Sequence, residues 1–573
     1  MDSKMKRRDF LKISALAGVA VVAAACAPTA TPTAAPTVAP KATAAATTAP
    51  KATAVPTTAP TAAPKATEVP KATEKPKVGF QGEIELWAEI YTPSSALTNP
   101  DPKAPKREAM AILAKEWMAL HPGIKMTFFT APTTTGWIDI SLIGGTGPDM
   151  FVTAPLVLSS KYADDGKVVI LNDYLELPNK YTPEETTPWK NTFKDPFLSE
   201  FSIKGNWGAI PLDLIATGVY CNVDMFKSVG IDLKKEIVPE LGSPKDWATM
   251  ISWCKKIKEA GYIAFYCGYF LHWWLQGVLA DQLFWQLTPT FDVLNYHANV
   301  PKAFQGGVVS QEELVHQYVC KGWKAFSEPA TRTMFEIHKE LFQYMPVGVE
   351  GLLTYAGQDE LFLTGQLAMN WGTSGRLGQY MQDARRKFEF STFWLPPVTK
   401  ATTPLAKDPP ILPAGVGGYG SKNYCINHKC VKKGNVEECV DWLMFISTPA
   451  HDEMIVNEVP SYVPAQKKAK SLPEVENLFV GETRLVGGSW AGHPWKAPCY
   501  WGGGFEGLGS KYFDTFQREE SLYLLGDNDL DTFMTNADAA FQVEAPDLIR
   551  AAAIQYTEKG DWDLTQWSCT PKV

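Results

Sequence analysis

The chain has 573 residues, a net charge of −8 and an aromatic content of 12%, including 19 Trp. The acidic balance excludes the basic surface that a nucleic-acid partner needs, and the length allows more than one core. No apolar run reaches the roughly 20 residues that a membrane-spanning helix requires.

The N-terminus is a basic segment, Lys6-Arg7-Arg8-Asp9-Phe10-Leu11-Lys12, followed by a short apolar run from Ile13 to Val22. That order reads as an export signal. Paired arginines before Phe-Leu-Lys look like a twin-arginine signal, the kind that carries folded proteins. Ala23-Ala24-Ala25-Cys26 then resembles a lipoprotein processing box, although its first position is more often Leu. Lipid on Cys26 would anchor the chain to the outer face of the cytoplasmic membrane without spanning it. Residues 27–77 are almost wholly Ala, Thr, Pro and Lys. Such a stretch cannot bury a core, and its prolines keep it extended as a semi-stiff spacer.

The folded part is expected from about Val78. Ile84-Glu85-Leu86, ending in Trp87, alternates as a strand. Met110, Leu113, Trp117 and Leu120 recur at helical steps, with Pro105 placed for the first turn. Ile124, Met126 and Phe128 alternate again, completing a β-α-β unit whose strands should be parallel. Gly147-Pro148-Asp149 turns into a third strand, Met150-Phe151-Val152. Further on, Ser243-Pro244-Lys245-Asp246 reads as a capping box before a helix whose apolar face is Trp247, Ile251, Cys254 and Ile257. Strands are expected at 388–394 and 424–427, and a helix on Val436, Val440, Leu443 and Ile446. Strands alternating with helices place the chain in the α/β class. Ten cysteines include no CxxC pair. With Cys26 lipidated nine remain, so at least one is free or paired between chains, and most read as scattered buried thiols.

These pieces, in this order, resemble the family 1 extracellular solute-binding proteins, the carbohydrate-capturing lipoproteins of ABC importers. Ile84–Trp87 is similar to the family's first strand, and Gly145–Phe151 to its Pro-Asp turn. Gly166–Tyr174, Trp207–Pro211 with Val219–Phe226, Ser243–Trp247 and Phe362–Gly372 are similar to later segments. Cys221 and Val223 stand where the family more often has Tyr and Lys. The resemblance implies a periplasmic-binding-protein type II fold, two α/β lobes joined by a multi-segment hinge. Passages between lobes are expected near 212–217, 396–414 and 460–464. The expected division is 1–26 signal, 27–77 spacer, 78–212 and 397–460 in lobe 1, and 213–396 and 461–573 in lobe 2. A monomer is expected. Its partners would be a carbohydrate ligand, the permease subunits of the importer, and the membrane through Cys26.

Ligands of open α/β sheets sit beyond the carboxyl ends of strands. That rule points to Trp87, Glu89, Tyr91, Thr153, Asp213, Trp371 and Arg376. A sugar offers C–H faces to aromatic plates and hydroxyls to planar polar groups, and this set supplies both. Two aromatic clusters add Trp274, because the neighbouring rings of Trp273 and Trp274 point apart, and Trp495 and Trp501, because the run Gly502-Gly503-Gly504 leaves space beside large rings as a cleft-lining loop would. Catalytic and metal signals are weak. Gly415–Gly420 fits GxGxxG but lies outside a strand-to-helix turn. Asp527–Asp531 lacks the glycine of a calcium loop and reads as a helix cap. No cofactor, metal or catalytic residue is expected. The alternatives are a secreted glycan hydrolase with two carboxylates across a cleft, or a surface sensor or scaffold.

Overall fold

The computed structural model of the protein describes residues 79–98, 106–131, 137–153, 162–194, 206–291, 311–346, 355–411, 414–478, 484–486, 510–558 and 563–569. The chain divides into residues 1–76 and a compact unit from Lys77 to Val573. Arg7, Arg8, Cys26 and nearly all of the spacer belong to the first of these, which lies outside the described residues.

The compact unit is α/β and is built on two main sheets. In the first, strand Gly82–Leu86 pairs in parallel with Ile124–Phe128 on one side and with Met150 on the other. Alternation drives the opening strand, with Ile84 and Leu86 buried while Gly82 and Glu83 are exposed. The helix between the first two strands, Ala109–Leu120, buries Met110, Leu113, Ala114 and Trp117. Leu120, expected on that face, is 60% exposed because the helix ends there. Strand Asn423–Ile426 joins antiparallel to Met150–Thr153, and Ala209–Pro211 closes the far edge. Helix Val436–Ile446 packs Trp442, Leu443 and Ile446 into this core.

The second sheet is organised around one long strand, Asp213–Asn222. It pairs antiparallel with Leu367–Thr373, Ala414–Gly420 and Phe390–Phe393. Ile263–Tyr266 lies parallel to Leu367–Thr373. Gly415–Gly420 therefore belongs to a strand interior, not to a phosphate-binding turn. Helix Trp247–Glu259 covers this sheet with Trp247, Met250, Trp253, Cys254 and Ile257. Its N-cap is Asp246, which accepts the Thr249 amide at 2.8 Å. The capping box expected at Ser243 is corrected: Ser243–Pro244 pairs instead with Ile237–Val238. Asp529 caps helix Leu530–Glu558 by accepting the Thr532 amide at 2.7 Å, the cap role expected of that acidic run.

Cys221, Cys254, Cys267, Cys425, Cys430 and Cys439 are buried and stand outside any disulfide. Cys320 and Cys569 form a disulfide that ties the C-terminal segment back across 249 residues, a pairing that no spacing in the sequence signals. Among the described residues, no helix is long and apolar enough to cross a membrane, and no His/Cys/Asp/Glu cluster could hold a metal.

Candidate functional site

Three passages of the chain converge on Asp213. Leu212 links the edge strand of the first sheet to the long strand of the second. Ser421 and Lys422 link strand Ala414–Gly420 of the second sheet to Asn423–Ile426 of the first. This return lies just beyond the expected 396–414 stretch. Val463–Pro464 runs antiparallel to Leu214 and Asp213.

Asp213 is 0% exposed. Its Oδ1 accepts the backbone amides of Ser421 at 3.1 Å and Lys422 at 2.9 Å. Its Oδ2 accepts the hydroxyl of Tyr91 at 2.6 Å. Burial pushes its carboxyl up to about 6, against the opposing pull of the Lys422 ammonium and the Tyr91 hydroxyl. With both oxygens engaged and no exposed surface, Asp213 is placed as a hinge residue and not on an open wall. The same sealing denies it to a solute as an acid or base.

Tyr91 belongs to the short turn Glu89–Tyr91 that follows the opening strand. Glu89 has φ +51°, a left-handed backbone held without glycine. Such conformations cost on the order of 1 kcal/mol or more and cluster at functional positions. Its Oε2 accepts the Ile90 amide at 2.7 Å and meets Lys422 Nζ at 3.2 Å. Burial alone would pull the Lys422 ammonium down, but Glu89 and Asp213 outweigh it and hold the group above its usual range. Lys422 also lies 5.9 Å from the Tyr462 ring.

Tyr462 reaches the second lobe. A side chain built on Gly375 would stand 3.3 Å from the Tyr462 hydroxyl, so the glycine permits this close approach. Ser461 donates to the Gly375 carbonyl at 3.3 Å. Gly375 precedes Arg376, in the turn after strand Leu367–Thr373. A chain of contacts therefore runs from Glu89 through Lys422 and Tyr462 to the turn that carries Arg376. Arg376 meets Asp359 at 3.2 Å and is one-quarter exposed. Asp359 accepts the Tyr380 hydroxyl at 2.7 Å, and Tyr380 in turn bonds Asn370. Arg376 is thus fixed by a buried polar network.

Aromatic surface gathers at the carboxyl ends of the first two strands. Trp87 and Trp137 meet edge to face at 4.8 Å, and Phe129 lies 5.4 Å from Trp137. All three are half-buried. Trp371, expected as a ligand plate, is instead 0% exposed in the core of the second sheet. Thr153 is buried too, its carbonyl accepting the Asn423 amide at 3.1 Å. The side chain of Trp274, and all of Trp495 and Trp501, lie outside the described residues.

Sequence reasoning thus named Glu89, Tyr91, Asp213 and Arg376, which one hinge region brings together. It missed Lys422, Tyr462, Phe129 and Trp137. The strand-end rule that selected Trp87 applies equally to Phe129, whereas nothing local marks Lys422. The hinge cluster offers carboxylate, ammonium, phenol and guanidinium groups, and the aromatic edges stand at the ends of the first two strands. That mixture suits capture of a hydroxylated solute.

The sequence model of the bacterial extracellular solute-binding proteins matches residues 100–444. No curated protein sequence matches the chain. Solved structures share the fold at low identity. The Chitin oligosaccharide binding protein is 16% identical with a TM-score of 0.50, covering 77% of this chain and 95% of its own. The apo-form of RafE from Streptococcus pneumoniae is 16% identical with a TM-score of 0.51, covering 80% and 97%. A family 1 extracellular solute-binding protein from Bifidobacterium longum subsp. infantis is 13% identical with a TM-score of 0.50, covering 81% and 100%.

Proposed function

The chain belongs to the bacterial extracellular solute-binding proteins, a family of non-catalytic receptors, and we propose that it captures a carbohydrate outside the cell for an ABC importer. The ligand sits between the lobes, beside the hinge. Trp87, with Trp137 and Phe129 next to it, presents aromatic surface to the C–H faces of a sugar, while Glu89, Lys422 and Arg376 meet its hydroxyls. The lobes divide at Leu212 and at Ser421–Lys422, where the chain passes between the two sheets. Closure around Asp213 buries the ligand, and the closed form docks on the permease. The signal with Arg7 and Arg8 exports the chain, lipid on Cys26 anchors it, and the spacer holds the receptor off the membrane.

The observation that carries this reading is the Glu89–Lys422 pair, in the turn that begins two residues after the half-buried Trp87 at the end of the opening strand. It joins charge and aromatic surface at a strand end, where open α/β sheets bind ligand. Calorimetry against a glycan panel tests it. At least one mono- or oligosaccharide should bind with micromolar affinity, about −8 kcal/mol. A panel with no binder sinks the carbohydrate assignment. Replacing Cys26 with Ala should move the protein from the membrane fraction to the medium, and unchanged membrane retention would refute the anchor.

A further inference from the structure

Gln358, on helix Tyr355–Leu363 of the second lobe, is 0% exposed. Its amide is engaged at both ends. Oε1 accepts the backbone N–H of Gly268 at 2.9 Å. Nε2 donates to the Trp371 carbonyl at 2.7 Å and to Asn370 Oδ1. Asn370 Nδ2 donates in turn to the Tyr380 hydroxyl, which donates to Asp359 at 2.7 Å. Asp359 then holds Arg376 at 3.2 Å. Each step runs in one direction, because a backbone N–H only donates and a carboxylate only accepts. Turning the Gln358 amide over would face the Gly268 N–H with a second donor, and two acceptors with an oxygen. The arrangement is therefore unique, and hydrogen bonds in such a chain polarise and strengthen one another.

The two ends of this chain lie at one edge of the sheet. Strand Ile263–Tyr266 runs parallel to Leu367–Thr373, with Tyr266 beside Asn370, so their carboxyl ends point the same way. Gly268 follows the first strand, at the N-cap of helix Tyr269–Leu283, and Arg376 follows the second. Ligands of open α/β sheets sit beyond such ends. A methyl group on Gly372 would stand 3.8 Å from Gln358 Nε2 and 3.9 Å from Arg376 Cγ, so the amide and the arginine stem pack around one residue. Apolar groups of the same shape could replace a fully paired polar set at little loss of stability. What the polar chain adds is a fixed geometry. We propose that Gln358 is a positioning residue of the solute site: it locks Arg376 and the start of helix Tyr269–Leu283 into one spacing, and so sets which pattern of hydroxyls the second lobe accepts. This role rests on the reading of the interlobe cleft as a carbohydrate site.

The test uses the full chain and two variants. Gln358→Leu removes both ends of the amide. Tyr380→Phe keeps the ring and cuts the chain one step before Asp359, so it serves if the first variant folds poorly. Without ligand, each should shift and broaden the Nε–Hε resonance of Arg376, and Tyr380→Phe should also move the Gly268 amide resonance at the far end. Calorimetry then uses maltotriose, cellobiose and galactose as probes. Each variant should weaken the best-bound probe about tenfold, and neither should weaken it further once Arg376→Ala is present. A change that merely loosened the fold would weaken binding equally in both backgrounds. The proposal is overturned by an Arg376 resonance that neither variant moves, or by an equal loss of affinity with and without Arg376→Ala. Wild type that binds none of the probes counts against the carbohydrate reading instead, and the ligand-free Arg376 resonance then decides the positioning role by itself.

Discussion

The hydroxyl of Tyr91 donates to the carboxylate of Asp213 at 2.6 Å, joining residues 122 apart in sequence. Tyr91 belongs to the turn after the first strand of one sheet, and Asp213 opens the central strand of the other. One buried hydrogen bond thus ties the two lobes at the point where the chain passes between them. Tyr91→Phe keeps the ring and leaves Asp213 Oδ2 without that donor. The loss should cost about 1–3 kcal/mol in chemical denaturation, and small-angle scattering should show a wider range of lobe separations. Unchanged stability would remove this bond from the hinge.

Asp213 also makes stability depend on pH. Its folded value of about 6 exceeds the ordinary value near 3.9. Between roughly pH 4 and 6 the folded chain therefore keeps a proton that the unfolded chain has released. This stabilisation is fully present below about pH 4 and is lost as pH rises through 6. Two units at about 1.4 kcal/mol each put the loss on the order of 3 kcal/mol. Asp213→Asn removes the titration. Its unfolding free energy relative to wild type should rise by that order between pH 4 and 7, and a flat difference would contradict the assignment.

Glu89 separates backbone cost from binding. Glycine adopts φ +51° freely, so Glu89→Gly should leave the melting temperature equal or slightly higher. The same change removes the carboxylate that meets Lys422. Carbohydrate affinity should then fall about tenfold, or ~1.4 kcal/mol, by calorimetry. A large drop in melting temperature with affinity intact would make Glu89 a purely structural residue.

The two tryptophans named first should behave oppositely. Trp371 is fully buried, and Trp371→Ala should cost about 3–5 kcal/mol of stability. Trp87 is half-buried at a strand end, and Trp87→Ala should cost less than about 2 kcal/mol while weakening sugar binding. Melting curves beside titrations distinguish them, and the reverse pattern would exchange their roles.

The Cys320–Cys569 disulfide closes a loop of 249 residues. Cutting it with Cys320→Ser and Cys569→Ser together should lower the unfolding free energy by about 3–5 kcal/mol. The six described cysteines outside the disulfide are buried, so alkylation of the native double variant should remain slow at those positions. Rapid labelling of several of them would show that the C-terminal tie holds the whole lobe closed to solvent.

Several elements were legible from local pattern because their driving forces are local. Alternation at Ile84 and Leu86, helical spacing at Met110, Leu113 and Trp117, and the Pro-Asp turn before Met150 each act within a few residues. Their order carried the family resemblance, and the strand-end rule reached Trp87, Glu89 and Tyr91. The same local reading failed at Ser243, where pairing with Val238 overrode a capping pattern. It failed again at Trp371, where strand position settled burial more strongly than residue type did.

By itself, then, the sequence determined the α/β class, the first strands and the side chains at their ends, since periodicity and turn chemistry are properties of neighbours. Only the tertiary structure decided that Asp213 is sealed beneath three passages of the chain, that Lys422 meets Glu89, and that Cys320 finds Cys569. Those outcomes depend on how distant segments converge, and burial and charge pairing across hundreds of residues leave no trace in local spacing.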